Sequence, residues 1–258
     1  MRIHDLILEK LEGEETARGI RLLYACESGS RAWGFASPDS DYDVRTIYSH
    51  TADAYLSLRE EPDNFLSLDD ASKIDLAGWE LRKALRLFKG CNASMNEWLL
   101  SPIAYRQEDA FLSRMRELLP AYFEPRKAML HYLGLARQII HHHLEGDRIS
   151  IKKAFYVIRP LAAAAWIRDL GGQPPTDFAV ILRETPSREV IAIRGLVEDL
   201  MAQKTHALEK APIVLPHELA SFFGESLPAL EAAARTLAPR ECWGIGPLDE
   251  VFREHLKR

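Results

Sequence analysis

The sequence contains few cysteines and no long apolar run, and both absences narrow the kind of protein it encodes. Cys26, Cys91 and Cys242 are isolated among 258 residues, with no CxxC pair and no spacing typical of a disulfide framework. We therefore expect reduced packing residues and no zinc–thiolate site. No stretch reaches the roughly 18–20 apolar residues that a membrane helix needs, and the N-terminus is charged, so we expect a cytoplasmic protein with no membrane partner.

Neither glycine nor proline is enriched, and basic charge is not in excess. With 14 Gly, 14 Pro, 47% hydrophobic and 28% charged residues, the composition excludes disordered, collagen-like and coiled-coil classes. A net charge of −5 argues against a protein that coats nucleic acid by bulk charge. Residues 120–170 nevertheless carry 8 basic and 4 acidic side chains. This middle segment is a candidate anion-binding region, although uneven surface charge is common.

The hydrophobic pattern changes along the chain from strand periodicity to helix periodicity. Short runs at 20–26, 42–48 and 73–76 are typical of strands. Helical spacing begins in the segment 79–89, and Gly90 is a plausible stop. Beyond it, the spacing predicts helices over 107–119, 126–145, 150–170, 187–208 and 217–236. We therefore predict an α/β (α+β) domain over residues 1–115, followed by a helical domain over 116–258.

A glycine-serine turn and a pair of aspartates carry the most specific chemical signal. Gly29-Ser30 follows an apolar strand, where glycine allows close approach of the backbone to a phosphate and serine adds a hydroxyl donor. Asp41 and Asp43 lie two apart at the start of the next strand, so we expect both carboxylates on one face. A solvated turn is the alternative for Asp-x-Asp alone, because residues 37–41 are rich in turn formers.

Paired carboxylates on one face are suited to binding divalent cations for phosphoryl or nucleotidyl transfer. Such chemistry uses two Mg²⁺ about 3.5–4 Å apart, held by carboxylate oxygens. Asp75, flanked by Ile74 and Leu76 in a neighbouring candidate strand, is the natural third ligand because a carboxylate among apolar residues needs a partner. Asp69 and Asp70 are the competing choices.

The combined motif resembles a known signature. An apolar strand, Gly29-Ser30, ten intervening residues and Asp41-Tyr42-Asp43 match the pattern hG[GS]x(9–13)Dh[DE] of the DNA polymerase beta nucleotidyltransferase superfamily, where h is hydrophobic. The resemblance to its RNA-repair-associated (RlaP/YcgL-like) branch covers most of the chain. It rests further on residues 29–35, 41–45, 96–102, Lys152-Lys153 with Tyr156 and Arg159-Pro160, and Pro174-Pro175.

The resemblance implies a small mixed-sheet nucleotidyltransferase domain followed by a C-terminal helical domain. It implies metal ligation by Asp41, Asp43 and Asp75, two Mg²⁺ with Mn²⁺ as a substitute, and an NTP, with ATP expected. The predicted reaction transfers NMP to an acceptor hydroxyl and releases pyrophosphate. The branch points to an RNA 3′ end as acceptor, whereas the residues alone leave a protein or a small molecule open. A non-catalytic nucleotide- or RNA-binding module is the alternative of another class.

The predicted nucleotide-binding residues lie in two segments. Lys152, Tyr156 and Arg159 share one helical face at i, i+4 and i+7, which favours phosphate contact over a merely solvated basic face. Arg82 and Lys83 are weaker candidates on an amphipathic helix. The full predicted nucleotide-binding set is Gly29, Ser30, Arg31, Lys152, Lys153, Tyr156 and Arg159.

Three further features have a simpler interpretation than a site. Trp98, next to Leu99 and Leu100, is predicted to be core. Consecutive histidines at 141–143 point about 100° apart on a helix, so we expect solvated side chains and no metal ligands. Arg137 with His142 or His143 also fits the loose Arg-x(4–6)-His pattern of HEPN ribonucleases, which is too short to outweigh that interpretation.

Overall fold

A computed structural model describes residues 2–204 and 212–256, and the chain divides into two compact units. The first unit is drawn from Met1–Ala32, Asp41–Tyr122 and Cys242–Arg258. The second is drawn from Trp33–Ser40 and Phe123–Glu241. The predicted α/β class with a helical C-terminal region is confirmed, and the domain boundary at 115/116 stays a prediction.

The first unit is built on a five-stranded mixed sheet with the strand order β3-β4-β2-β1-β5. Strands β2 and β4 are parallel, whereas every other neighbouring pair is antiparallel. The parallel pair sets the carboxylates of two different strands side by side, because parallel neighbours in register present equivalent positions on one face. The strands are β1 Arg21–Ser28, β2 Tyr42–Ser49, β3 Asn64–Asp69, β4 Ile74–Glu80 and β5 Ala104–Gln107.

Helices cover the sheet and bury its apolar side chains. Trp98 is 5% exposed and stacks on Trp79 with ring centroids 3.8 Å apart, which confirms its predicted place in the core. Leu248 and Val251, near the end of the chain, belong to the same buried cluster. The helices of this unit are α1 Ile3–Arg18, α2 Gly29–Ala32, α3 Ala52–Tyr55, α4 Leu81–Lys89, α5 Ala93–Leu99, α6 Asp109–Tyr122 and α12 Gly246–Leu256.

The second unit, over its described residues, is helical apart from one short strand pair. Its elements are α7 Pro125–His143, β6 Arg148–Ser150, α8 Ile151–Leu170, α9 Phe178–Glu184, α10 Arg188–Lys204, β7 Pro212–Val214 and α11 His217–Thr236. The predicted helix over 187–208 is α10, and its last residues, 205–208, lie outside the described residues. The three histidines at 141–143 are exposed, as predicted, and Arg137 pairs with Glu231.

Several elements have no counterpart among the sequence predictions. Helix α1 has charged residues throughout and a buried face that includes Ile7 and Leu11, so its apolar periodicity is weak. Strands β3 and β5 are the two edges of the sheet, and β3 leaves Leu66 and Leu68 exposed. Strand β5 depends on pairing with β1, which is distant in the sequence and which local patterning does not report. Strand β3 pairs with the next strand, β4, but Phe65 is its one buried residue, so its apolar alternation is weak.

The structure describes all three cysteines and the apolar content of the helices. Cys26 and Cys91 are buried, Cys242 is half-buried, and all three are free thiols, as predicted. Within residues 2–204 and 212–256, no helix is both long enough and apolar enough to cross a membrane.

Candidate active site

The glycine-serine turn lies where β1 ends and α2 begins. Gly29 has a φ of +61°, in the left-handed region that favours glycine. A Cβ on this residue would lie 2.2 Å from Oδ2 of Asp43. Asp43 is brought there by the sheet, because Ser28 and Asp43 are register partners in the β1–β2 pair. Both the backbone conformation and the close approach of the carboxylate therefore favour glycine at position 29.

Asp43 and Asp75 lie side by side on adjacent parallel strands. They are register partners in the β2–β4 pair, and their side chains are 28% and 33% exposed. Like charges directly opposite each other on a sheet repel, so this arrangement needs a cation. The structure therefore brings together two of the three predicted carboxylates.

Arg45 supplies that cation within the protein. It follows Asp43 by two positions in β2 and so shares its face of the strand. Its Nη2 donates to Oδ1 of Asp43 and Oδ2 of Asp75, each at 3.0 Å. Its Nη1 donates to Oδ1 of Asp75 at 3.1 Å and to the Asp75 carbonyl at 2.7 Å. The guanidinium thus bridges both carboxylates, a role that the sequence analysis did not assign.

Asp41 lies just before β2 and is exposed. Its carbonyl accepts a hydrogen bond from Nε of Arg31 at 3.1 Å, and the Arg31 guanidinium lies 3.8 Å from the centre of the Tyr42 ring. Among the described residues, no group of three or more His, Cys, Asp and Glu side chains is gathered closely enough to hold a metal ion. Ligation by Asp41, Asp43 and Asp75 together stays a prediction.

The competing choice for the third carboxylate, Asp69, is occupied elsewhere. Its register partner is Ile74 rather than Asp75, and its Oδ2 pairs with Nζ of Lys10 at 2.6 Å. Lys10 and the Ser72 hydroxyl hold the pKa of the Asp69 carboxyl well below its usual range. The geometry therefore favours Asp75 as the partner of Asp43.

Glu27 binds the backbone of Asp43 and was not among the site residues predicted from the sequence. It is fully buried, its Oε1 accepts the backbone N–H of Asp43 at 2.7 Å, and its Oε2 accepts the Tyr105 hydroxyl. Burial raises the pKa of the Glu27 carboxyl from 4.5 to about 7, although these hydrogen bonds oppose the rise. A glutamate directly after the apolar residues 22–26 of β1 was the available signal.

We expect Glu27→Gln to alter the pH dependence of stability. Because its pKa is raised, folded Glu27 binds more protons than unfolded Glu27 between about pH 4.5 and 7, so its contribution to stability falls as the pH rises through that window. The shift corresponds to about 3 kcal/mol. Glutamine does not ionise and still accepts from the Asp43 backbone. The stability of the variant relative to the parent therefore increases from pH 5 to pH 8.

Urea unfolding at pH 5 and at pH 8, in the presence of a metal chelator, measures this change in relative stability. The exposed Glu12 provides a matched control, since Glu12→Gln should leave the difference between the two pH values unaltered. Parallel pH profiles for the parent and Glu27→Gln would contradict the expectation.

The remaining predicted nucleotide-binding residues belong to the second unit. Nζ of Lys152 and of Lys153 lie 6.0 and 5.7 Å from the ring centre of Tyr156, and Tyr156 meets Trp33 edge to face. Arg159 is only 2% exposed, packs over Trp33 at 4.4 Å and donates to the Thr176 carbonyl. Arg159 is thus a buried side chain, and nucleotide contact by this group stays a prediction.

Comparison with known proteins agrees with the motif. The model of the RlaP family, described as the RNA repair pathway DNA polymerase beta family, matches residues 3–254. The chain is 39% identical to the YcgL protein of Bacillus subtilis (strain 168) over 203 residues, which cover 79% of this chain and 77% of that protein.

A solved structure gives a more distant likeness. The nucleotidyltransferase-like protein from Exiguobacterium sibiricum 255-15 is 11% identical, with a TM-score of 0.34 over 95% of this chain and 78% of its own. A likeness of this degree carries no argument about function. The family match and the identity with the Bacillus protein show that the chain belongs to the RlaP family of polymerase beta-type nucleotidyltransferases.

Proposed function

We propose that this nucleotidyltransferase moves a nucleoside monophosphate from an NTP, with ATP as the expected donor, to the 3′ hydroxyl of an RNA. The acceptor hydroxyl loses its proton to solvent and its oxygen attacks the α-phosphorus. The bond from that phosphorus to the α,β-bridging oxygen breaks, and pyrophosphate leaves. The observation that carries the proposal is the contact of the Asp43 carboxylate with the left-handed Gly29, beside Asp75.

The donor atoms of the site fit Mg²⁺, with Mn²⁺ as a substitute. Oδ1 of Asp43 and Oδ2 of Asp75 each lie 3.0 Å from the same nitrogen of Arg45, so these oxygens are at most about 6 Å apart. With the Arg45 nitrogen moved from between them, rotation of the two side chains would close this separation to the roughly 4 Å across a Mg²⁺ ion. Bound by Asp41, Asp43 and Asp75, two Mg²⁺ would neutralise the triphosphate and lower the pKa of the acceptor hydroxyl.

The chain's own residues bind and orient the reactants. Gly29 allows the phosphates to approach the backbone, and the Ser30 hydroxyl adds a donor. Glu27 fixes the backbone of Asp43, and Arg31 holds the segment before β2 through the Asp41 carbonyl. Catalysis then depends on positioning and electrostatics, as expected for phosphoryl transfer. Lys152, Lys153, Tyr156 and Arg159 are proposed to assist nucleotide binding.

The direct test follows label from the α-phosphate. The purified protein is incubated with each α-labelled NTP, Mg²⁺ or Mn²⁺, and one of three acceptors: RNA ending in a 3′ hydroxyl, the same RNA with a blocked 3′ end, or protein. We expect label on the first RNA only, together with metal-dependent pyrophosphate release. Label on protein would reassign the acceptor, and nucleotide binding without release would favour the non-catalytic alternative.

A further inference from the structure

Arg45 donates hydrogen bonds to three of the four side-chain oxygens of Asp43 and Asp75. Both oxygens of Asp75 and Oδ1 of Asp43 accept from its guanidinium. The fourth oxygen, Oδ2 of Asp43, lies against Gly29, where even a Cβ would be 2.2 Å away. A divalent cation that approaches these carboxylates therefore competes with Arg45 for three of their four oxygens.

The guanidinium also repels a metal ion at this position. A cation bound to an oxygen that accepts from Arg45 would lie only a few ångströms from a fixed positive charge. Arg45 is 18% exposed, so water screens this repulsion only in part. Metal ligation by Asp43 and Asp75 is thus favoured when the guanidinium leaves at least one of them.

We propose that Arg45 is an internal counter-ion that keeps Asp43 and Asp75 from taking a divalent cation alone, and that the triphosphate releases it. A guanidinium binds phosphate with the same paired hydrogen bonds that it gives to a carboxylate. The incoming nucleotide draws Arg45 away as the metal takes the oxygens that it leaves. This inference rests on the proposed function and adds to it a coupling between metal and nucleotide, which is reciprocal. Arg45 is a positioning residue in this scheme.

Opposite shifts in two affinities test the inference. Arg45→Met removes the charge and the donors but retains a long side chain. We expect Mn²⁺ alone, measured by electron paramagnetic resonance, to bind about tenfold more tightly to the variant. We expect a non-hydrolysable triphosphate, measured at saturating Mg²⁺, to bind about tenfold more weakly. A purely structural role would weaken both affinities together.

The matched control is Arg106→Met. Arg106 pairs with Glu15 at 2.7 Å on β5 and has no contact with Asp43 or Asp75 among the described residues, so its replacement should move neither affinity. Arg45→Gln replaces Arg45→Met if the latter does not fold, because glutamine keeps an amide donor without the charge. Unchanged or weaker Mn²⁺ binding in a folded Arg45 variant overturns the inference.

Asp43→Asn separates this inference from the proposed function. If Mn²⁺ binding depends on Asp43 but does not respond to Arg45→Met, only the counter-ion role fails. If Mn²⁺ binding is insensitive to Asp43→Asn in both the parent and the Arg45 variant, the proposed metal site and the counter-ion role fail together.

Discussion

Asp43→Asn is expected to reduce nucleotidyl transfer by about 10³-fold or more while the chain remains folded. Asp43 is the carboxylate that contacts the glycine turn and neighbours Asp75, so the change removes charge at the point where metal and phosphates would meet. Asparagine has the same shape and still accepts from Arg45. The partly exposed ion pair contributes only about 0–1 kcal/mol to stability. Steady-state rates of pyrophosphate release and a thermal melt measure the two effects.

Asp70→Asn is the matched control for this prediction. Asp70 is exposed and was the other sequence candidate for the third ligand. We expect its replacement to leave the rate within about twofold of the parent, whereas Asp75→Asn should lose as much activity as Asp43→Asn. Full activity in Asp43→Asn, or a deficit confined to Asp70→Asn, would contradict the assignment of the site.

Gly29→Ala is expected to reduce the rate of nucleotidyl transfer by about 10²-fold or more, because it displaces Asp43. An alanine at a φ of +61° is strained by about 1 kcal/mol. Its Cβ would also lie 2.2 Å from Oδ2 of Asp43, so the carboxylate must move. Displacement of a catalytic group by about 1 Å can lower the rate by about 10²-fold. Transfer rate and urea unfolding measure the two consequences.

Gly19 separates backbone strain from the displaced carboxylate. It caps the C-terminus of α1 with the same φ of +61°. Among the described residues, a Cβ at this position would have no heavy atom within 4 Å beyond its immediate chain neighbours. Gly19→Ala should therefore lower the free energy of unfolding by about as much as backbone strain alone does in Gly29→Ala. It should retain transfer activity. Equal loss of activity in both variants would show that strain alone, rather than the position of Asp43, governs the rate.

Much of the local structure near the site was predictable because it depends on neighbouring residues. The apolar periodicity of β1, β2 and β4 predicted strands, and the glycine before Ser30 predicted a tight turn. Gly29 does adopt a left-handed conformation. We expected Asp41 and Asp43 to share a strand face, but β2 begins at Tyr42 and Asp41 lies before it. Strand alternation therefore governs Asp43 but not Asp41.

The sequence by itself determined the short-range features: an apolar strand ending at a glycine-serine turn, an Asp-x-Asp pair opening the next strand, and helical periodicity through the C-terminal half. Only the tertiary structure decided that Asp75 rather than Asp69 adjoins Asp43, that Arg45 bridges the two carboxylates, and that Glu27 fixes the Asp43 backbone. Periodicity and turn chemistry act within a few residues, whereas the register of β2 with β4 joins positions 32 residues apart. A register is selected by burial and pairing over the whole sheet, which no local pattern contains.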